Sequence, residues 1–416
     1  MLVSIFLLLH NFNSNILKNR AMAHKTIGML IYANPDHYPP TINAVHLLSE
    51  HFDVVLIGRN QDPAIWKYPS NVKVHRLGKY TSVREREKQS LEAKLWEYIN
   101  FVAQAQKLLK EVSLIYAYDY FAYTIAYLCL LLQSKSIPLI YHNHDLNEKL
   151  FPLSSLSGWV QRGERKWVHK ANFVIFPSQE RALFFKKLTN FLGKTMVVPN
   201  FPRKSYFQEH PNFPNLLLER FHNPQILLQG TVSVKNSLLE LIESLDFLNQ
   251  SIEIKLIGYI QEADKLVIRN FSITKNVAER VKYFPPVPYN DLPPHTWKAS
   301  LGVCLYKKTG INHQTMGTAS NKIYEYAACG LPVIVSDQPN YREHLANESW
   351  VRFADPDNPK SIASAVEDIM SDFNKYQAMC LAARQAFEEK YNYESAFYPL
   401  FKTIQELVCG SEVKNE

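Results

Sequence analysis

Cysteine is scarce in this chain: five residues in 416, Cys129, Cys304, Cys329, Cys380 and Cys409. The number is odd, the spacings are wide and the settings mostly apolar, which excludes a disulfide framework and predicts reduced core thiols in a reducing compartment. No pair stands at CxxC spacing and no Cys/His cluster occurs, so no structural zinc is expected. Long hydrophobic runs are lacking too. YTIAYLCLLLQ (Tyr123 to Gln133) has about half of the ~20 residues that a membrane-spanning helix needs, and reads as a buried helix. Neither sign of charge dominates: Lys and Arg total 46 against 39 Asp and Glu, a net +7. Such a balance suits an anionic small molecule or membrane surface and does not mark a nucleic-acid binder. Repeats and low-complexity tracts are absent. What is present is ordinary globular composition, 46% hydrophobic and 20% charged, in a chain long enough for roughly two to three domains.

Residues 1–21 read as an extension, either dispensable or a weak anchor. LVSIFLLL (Leu2 to Leu9) is too short to span a bilayer and lacks the positive start of a secretory signal, while Met22 stands just before the first strand pattern. From Thr26 to Asn200, seven β-rich apolar runs alternate with helical patterns, as in βα units around a parallel sheet. A helix is expected from Val83 to Lys110, its face formed by Leu91, Leu95, Ile99 and Val102. Asn200 to Pro224 holds four prolines without a clear period and reads as a linker (residues 200–224). A second series of six strand patterns then runs from Gln225 to Ala354, followed by helical patterns to the end. The expected architecture is α/β: two doubly wound domains, residues 22–199 and 225–390, facing a cleft, with a helix and tail over 391–416. Ligands of such sheets sit beyond the strands' carboxyl ends.

Chemistry concentrates in NKIYEYAACGLPVIVSD (Asn321 to Asp337), a helix, a Gly330 stop and a buried strand. Glu325 lies one turn into that helix among apolar neighbours, where a carboxylate needs partners such as adjacent sugar hydroxyls. A surface ion pair with Lys322 is its bland alternative. The loop before it, TGINHQTMGTAS (Thr309 to Ser320), is small and polar and ends at a helix N-terminus, which favours phosphate. In the first half, IYHNHDLNE (Ile140 to Glu148) ends a strand with His142, His144 and Asp145; Asp119 follows SLIYAY in the same way, with turn capping as its competing explanation. NPDHYPPT (Asn34 to Thr41) occupies the first strand-to-helix turn. GWVQRGERKWVHK (Gly158 to Lys170) interleaves tryptophans with basic residues, and can either lie on anionic lipid or pack its tryptophans on the sheet.

The NKIYEY to LPVIVSD block, with VIFPSQERA, VVPN, ILLQG, IKLIG and VKYFPPVPYNDLP in order along the chain, resembles the GT-B-fold glycosyltransferases of the family 4 (glycosyltransferase group 1) type. The resemblance implies two Rossmann-like domains with a C-terminal helix returning toward the first, a nucleotide diphosphate sugar as donor substrate, no cofactor, and transfer with retention to a glycan or lipid-linked acceptor hydroxyl. It makes Glu325 the second glutamate of the family's pair, on the ribose; the first would lie eight positions earlier, where this chain has Gly317. Donor contacts are then expected from Gly230, Lys235, Gly258, Val287, Asn312, Ser320 and Asn321. His144, Asp145 and Lys322 are the catalytic expectations, and Asn34, His37, Tyr38 and Asp119 the acceptor-side ones. The family's cation pair after the first strand of the donor half is reduced to Lys235, with Lys322 a displaced second. No Asp-x-Asp pair is read after a strand where a divalent ion could bridge carboxylates and phosphates, so no residue is assigned to a metal. The expected location is cytoplasmic, with peripheral contact to the inner face of a membrane left open and no nucleic-acid partner. A catalytically inactive binding or scaffold subunit is the rival, favoured by the missing glutamate and cation; a nucleotide-sugar epimerase is a third possibility.

Overall fold

The computed structural model describes residues 25–63, 65–133 and 136–410; the extension expected over 1–21 lies outside the described residues. The chain divides into two compact units: unit 1 takes Met1–Val198 and Phe397–Glu416, and unit 2 takes Pro199–Ala396.

Unit 1 is built on seven parallel strands, β1 (Thr26–Ile31), β2 (Asp53–Arg59), β3 (Val72–Leu77), β4 (Leu114–Tyr118), β5 (Leu139–His142), β6 (Phe173–Phe176) and β7 (Thr195–Val197), in the order β3-β2-β1-β4-β5-β6-β7. Strands β4, β5 and β6 are buried along their whole length, as parallel strands covered on both faces must be. The order reverses between β1 and β4, so the ligand crevice of this sheet lies beyond their carboxyl ends. Every strand of this unit falls on a run that the sequence marks.

The long helix is in fact two. Ser82 and Glu85 form a capping box at the start of Val83–Glu87, and Ser90 accepts from Ala93 N to start Leu91–Leu108 afresh. Its inward face also differs from the expected one. Tyr98, Phe101 and Ala105 are buried while Ile99 is 49% exposed, because the two aromatic rings have the larger area to remove from water and stand against Tyr32 with centroids 5.7 and 5.0 Å away. The basic tryptophan segment becomes the helix Leu156–Trp167. Trp167 packs on Tyr127 at 5.2 Å, whereas Trp159 is 44% exposed, as are Phe151 and Leu153 nearby in sequence at 37% and 59%.

Unit 2 repeats the plan with β8 (Gln225–Gln229), β9 (Glu253–Ile257), β10 (Val281–Phe284), β11 (Leu301–Cys304), β12 (Val333–Ser336) and β13 (Val351–Ala354), parallel in the order β10-β9-β8-β11-β12-β13. Its switch point lies between β8 and β11. The stretch expected as a linker is part of this unit: Phe201, Phe207, Phe213 and Leu217 are buried in its core, and residues Phe213–His222 form a helix with Pro214 in its first turn. Prolines suggest a break from sequence, but the phenylalanines and leucine between them have apolar area to bury. The last helix, Tyr393–Cys409, leaves unit 2 at Ala396 and from Phe397 belongs to unit 1, where the Phe401 ring packs at a tilt against His51 with centroids 4.6 Å apart. The cysteines are free, four of them buried. Among the described residues no helix is long and apolar enough to cross a membrane.

Candidate functional site

In unit 2 three of the expected residues, Gly230, Gly258 and Lys322, come together where β8 and β9 end. Gly230 has φ +92° and Gly258 φ +142°, and a Cβ on Gly258 would stand 1.8 Å from the carbonyl oxygen of Gly230. Only glycine permits this approach of two strand ends. A Cβ on Gly230 would meet Lys322 Cε at 3.0 Å and Nζ at 3.8 Å, so the ammonium lies over bare backbone. Lys322 Nζ is also 5.5 Å from the ring centre of Tyr306. Burial pulls its pKa below the usual lysine value, while Cys304 and Glu325 act the other way.

Glu325 is 4% exposed, which removes the surface ion-pair reading. Gln229, the last residue of β8, donates from Nε2 to Glu325 Oε2 at 2.7 Å and accepts at Oε1 from Thr296 Oγ1 at 2.9 Å. Tyr289 supplies a second hydrogen bond to the carboxylate. Burial raises the Glu325 pKa to about 7 despite Gln229, Tyr289 and Lys322, which favour the charged form. An ionised carboxylate has about four acceptor sites, so these two bonds leave capacity for further hydroxyls.

The position of the missing glutamate has a physical explanation. Gly317 N donates to Asn340 Oδ1 at 2.9 Å, its carbonyl accepts from Tyr324 OH, and a Cβ there would lie 2.8 Å from Asn340 Oδ1, 3.0 Å from Asn340 O and 3.0 Å from the His344 ring. The helix Pro339–Leu345 occupies the space that a side chain at 317 would use. Ser320 is turned inward, its Oγ 3.2 Å from Cys304 Sγ, and makes no side-chain cap on the helix Asn321–Ala328. Asn321 opens that helix and Asn312 sits in the short helix Ile311–Gln314, both half-buried. Val287 packs against the unit 2 core. Lys235 is exposed on the 3-10 turn Val234–Asn236. One Asp-x-Asp spacing does follow a strand, Asp355-Pro356-Asp357 after β13, and it serves the turn there: Asp355 Oδ1 accepts from Asp357 N at 3.0 Å, and Asp357 pairs with Lys307 at 3.0 Å.

In unit 1 the structure brings together Tyr38, Asp119, His144 and Asp145. Asp119, at φ +62°, accepts at Oδ1 from His144 N at 3.0 Å and also from Asp145 N. It thus caps the end of β5 rather than its own turn, in a backbone conformation that costs of order 1–3 kcal/mol. Burial, then the Asp145 charge, raises its pKa to about 7. The His144 ring lies parallel to Tyr118, 5.3 Å away at 8°, and 4.1 Å from His142. Arg181 Nη1 donates to His144 O at 2.5 Å and stands 3.9 Å from Asp145. Both ring nitrogens of His144 are buried without a hydrogen-bond partner, and burial, then Arg181, lowers its pKa to about 3. A neutral imidazole with one donor and one acceptor unmet is prepared for a polar ligand group. Tyr38 is raised to about 12 by burial and by Asp119 and Asp145. His37 is exposed. Asn34 is a structural cap: it is 2% exposed, accepts from Asp36 N at 3.1 Å and donates to Pro63 O at 3.4 Å.

Several participants escape the sequence reading. Gln229 could have been found as a polar residue closing an apolar strand, and Arg181 lies within the quoted VIFPSQERA. Tyr289 likewise lies within VKYFPPVPYNDLP, and Thr296 carries no local signal.

Residues 223–372 match the family described as Glycosyl transferases group 1. This segment is of the group 1 glycosyltransferase type. The GT-B fold of the chain is shared by sucrose-phosphate synthase from Thermosynechococcus elongatus, at 16% identity and TM-score 0.72 over 93% of this chain and 100% of the other. Anabaena HepE in complex with UDP-glucose superposes with TM-score 0.68 at 15% identity, over 92% and 100%. WaaG, a glycosyltransferase involved in lipopolysaccharide biosynthesis, gives 0.61 at 15%, again over 92% and 100%. Among curated proteins none matches the chain by sequence.

Proposed function

We propose that the chain transfers a sugar, with retention, from a nucleotide diphosphate donor held by unit 2 to an acceptor hydroxyl held by unit 1, in glycan, polysaccharide or glycolipid synthesis. The observation that carries this reading is the single ammonium of Lys322 over the bare backbone of Gly230, three residues from the buried Glu325. Small backbone and one cation suit a diphosphate, and a carboxylate with unused acceptor sites suits a ribose diol. HepE with UDP-glucose supports a donor of this class. Leaving-group charge would be offset by Lys322 and by the uncapped N–H groups at the start of Asn321–Ala328, groups that act where charge develops as the glycosidic bond breaks. His144, neutral, would meet a hydroxyl of the reacting sugar. Trp159, Leu153 and Arg162 provide a surface for peripheral contact with an anionic membrane.

Gly317 favours the rival reading, a subunit that binds donor without turning it over, because the first glutamate is missing and a side chain in its place is crowded by Asn340 and His344. Incubation with UDP-sugars separates the two. Release of free UDP, cut by about 10²–10³ in Lys322→Ala and little changed in Lys235→Ala, is the expected result. Donor binding without nucleotide release would leave the scaffold, and conversion of the donor sugar without acceptor would make the protein an epimerase.

A further inference from the structure

Beyond the carboxyl ends of β1, β2 and β3 lies a cavity of about 520 Å³, lined among others by Tyr32, Arg59, Lys79, Trp96, Glu97 and Asn100. All of its walls belong to unit 1, and none is needed for the donor. Its charge is unbalanced. Arg59 and Arg86 both lie over the Tyr32 ring, their guanidinium carbons 5.0 and 4.9 Å from its centre. One carboxylate serves them: Glu97 accepts from Arg59 Nη2 at 2.9 Å and uses its other oxygen on Gln89 at 2.6 Å. Arg76 in the wall is already held by Asp36 at 2.7 Å, but Lys79 at the rim adds a further cation.

Arg59 is 5% exposed, and its Nη1 is buried without a hydrogen-bond partner. A buried guanidinium with an unmet donor beside a second guanidinium is costly unless an anion completes it. Trp96, 65% exposed at the cavity edge, offers a flat apolar face next to that charge, and Asn100 offers amide donors and an acceptor. We infer that this cavity is a binding site for a sugar bearing one anionic group, a phosphate or carboxylate, with the anion at Arg59 and Lys79, the charge of Arg86 behind the Tyr32 wall adding to theirs, and the ring against Trp96. If the transferase reading holds, such a ligand is the acceptor or its nearest residue; the binding itself does not depend on that reading.

The test is calorimetric titration of the full chain with glucose, glucose 6-phosphate, glucuronate and inorganic phosphate as probes. Glucose 6-phosphate or glucuronate should bind at least about tenfold more tightly than glucose. Lys79→Gln and Arg86→Gln, both outside the buried core, should each abolish most of that preference without altering thermal unfolding. Trp96→Ala should reduce the sugar phosphate to the affinity of inorganic phosphate. UDP-sugar binding, measured in parallel, should be unchanged in all three variants, which separates this site from the donor site. Equal binding of glucose and glucose 6-phosphate, or a preference untouched by both charge variants, would overturn the proposal, whatever the donor titration shows.

Discussion

At Glu325 two demands conflict. Burial raises its pKa to about 7, yet accepting from two hydroxyls requires the charged form. Lowering the pH from 8 to 6 should therefore weaken donor binding by up to about tenfold, as the carboxylate protonates through its folded pKa. Stability moves oppositely. The folded pKa lies above the ordinary 4.5, so the native state binds more protons than the unfolded chain between those values and this group's contribution falls as pH rises through that window. Glu325→Gln should lower donor affinity by about 1.5–3 kcal/mol at pH 8 and remove the pH dependence. Titrations at the two pH values check both; a parent with equal affinities would take Glu325 out of the ribose site. His144 has the reverse sign. Its pKa of about 3 lies below the ordinary 6.5, so its contribution to stability is present above that value and is lost as pH falls toward 3.

The helix Asn321–Ala328 and the segment before it act as one piece, because Tyr324 OH holds Gly317 O and Asn340 holds Gly317 N. Restoring the family's glutamate by Gly317→Glu should then fail. Its Cβ meets Asn340 backbone at 3.0 Å, and overpacking of this kind typically costs about 1–3 kcal/mol. Thermal unfolding should show that loss and UDP release should not rise. A stable variant with faster turnover would mean that the helix Pro339–Leu345 moves aside easily. The split at Ser90 makes the same point in a milder way: periodicity alone runs across it, whereas two serine caps decide where the helices begin.

Over the whole molecule, the proposed chemistry uses protein cations and helix N–H groups in place of a divalent ion. Turnover with a UDP-sugar should accordingly be unaffected by EDTA, and addition of magnesium or manganese should not raise it. Activity abolished by EDTA and restored by either ion would displace Lys322 from its role and reopen the carboxylates, Asp355 and Asp357 among them. This prediction concerns the intact chain, since Phe397–Glu416 belongs to unit 1 although the rest of the C-terminal half is unit 2.

All thirteen strands, the parallel α/β class and the burial of Glu325 were legible in the linear chain, because fully buried parallel strands are short apolar runs and Glu325 stands among apolar neighbours. Residue order along the chain places Gly230, Gly258 and the helix that carries Lys322 and Glu325 on three separate segments. Only the sheet order, with β8 between β9 and β11, brings those segments together. Gln229 and Tyr289 as partners of Glu325, the inward turn of Ser320, the capping role of Asn34 and the burial of Phe201, Phe207, Phe213 and Leu217 were likewise decided by packing, since a hydrogen bond or a filled space depends on which distant side chain arrives there. The crowding at Gly317 is the clearest case: the sequence states that a glycine is present, and the helix packed against it is the reason that a larger residue would have to push it aside.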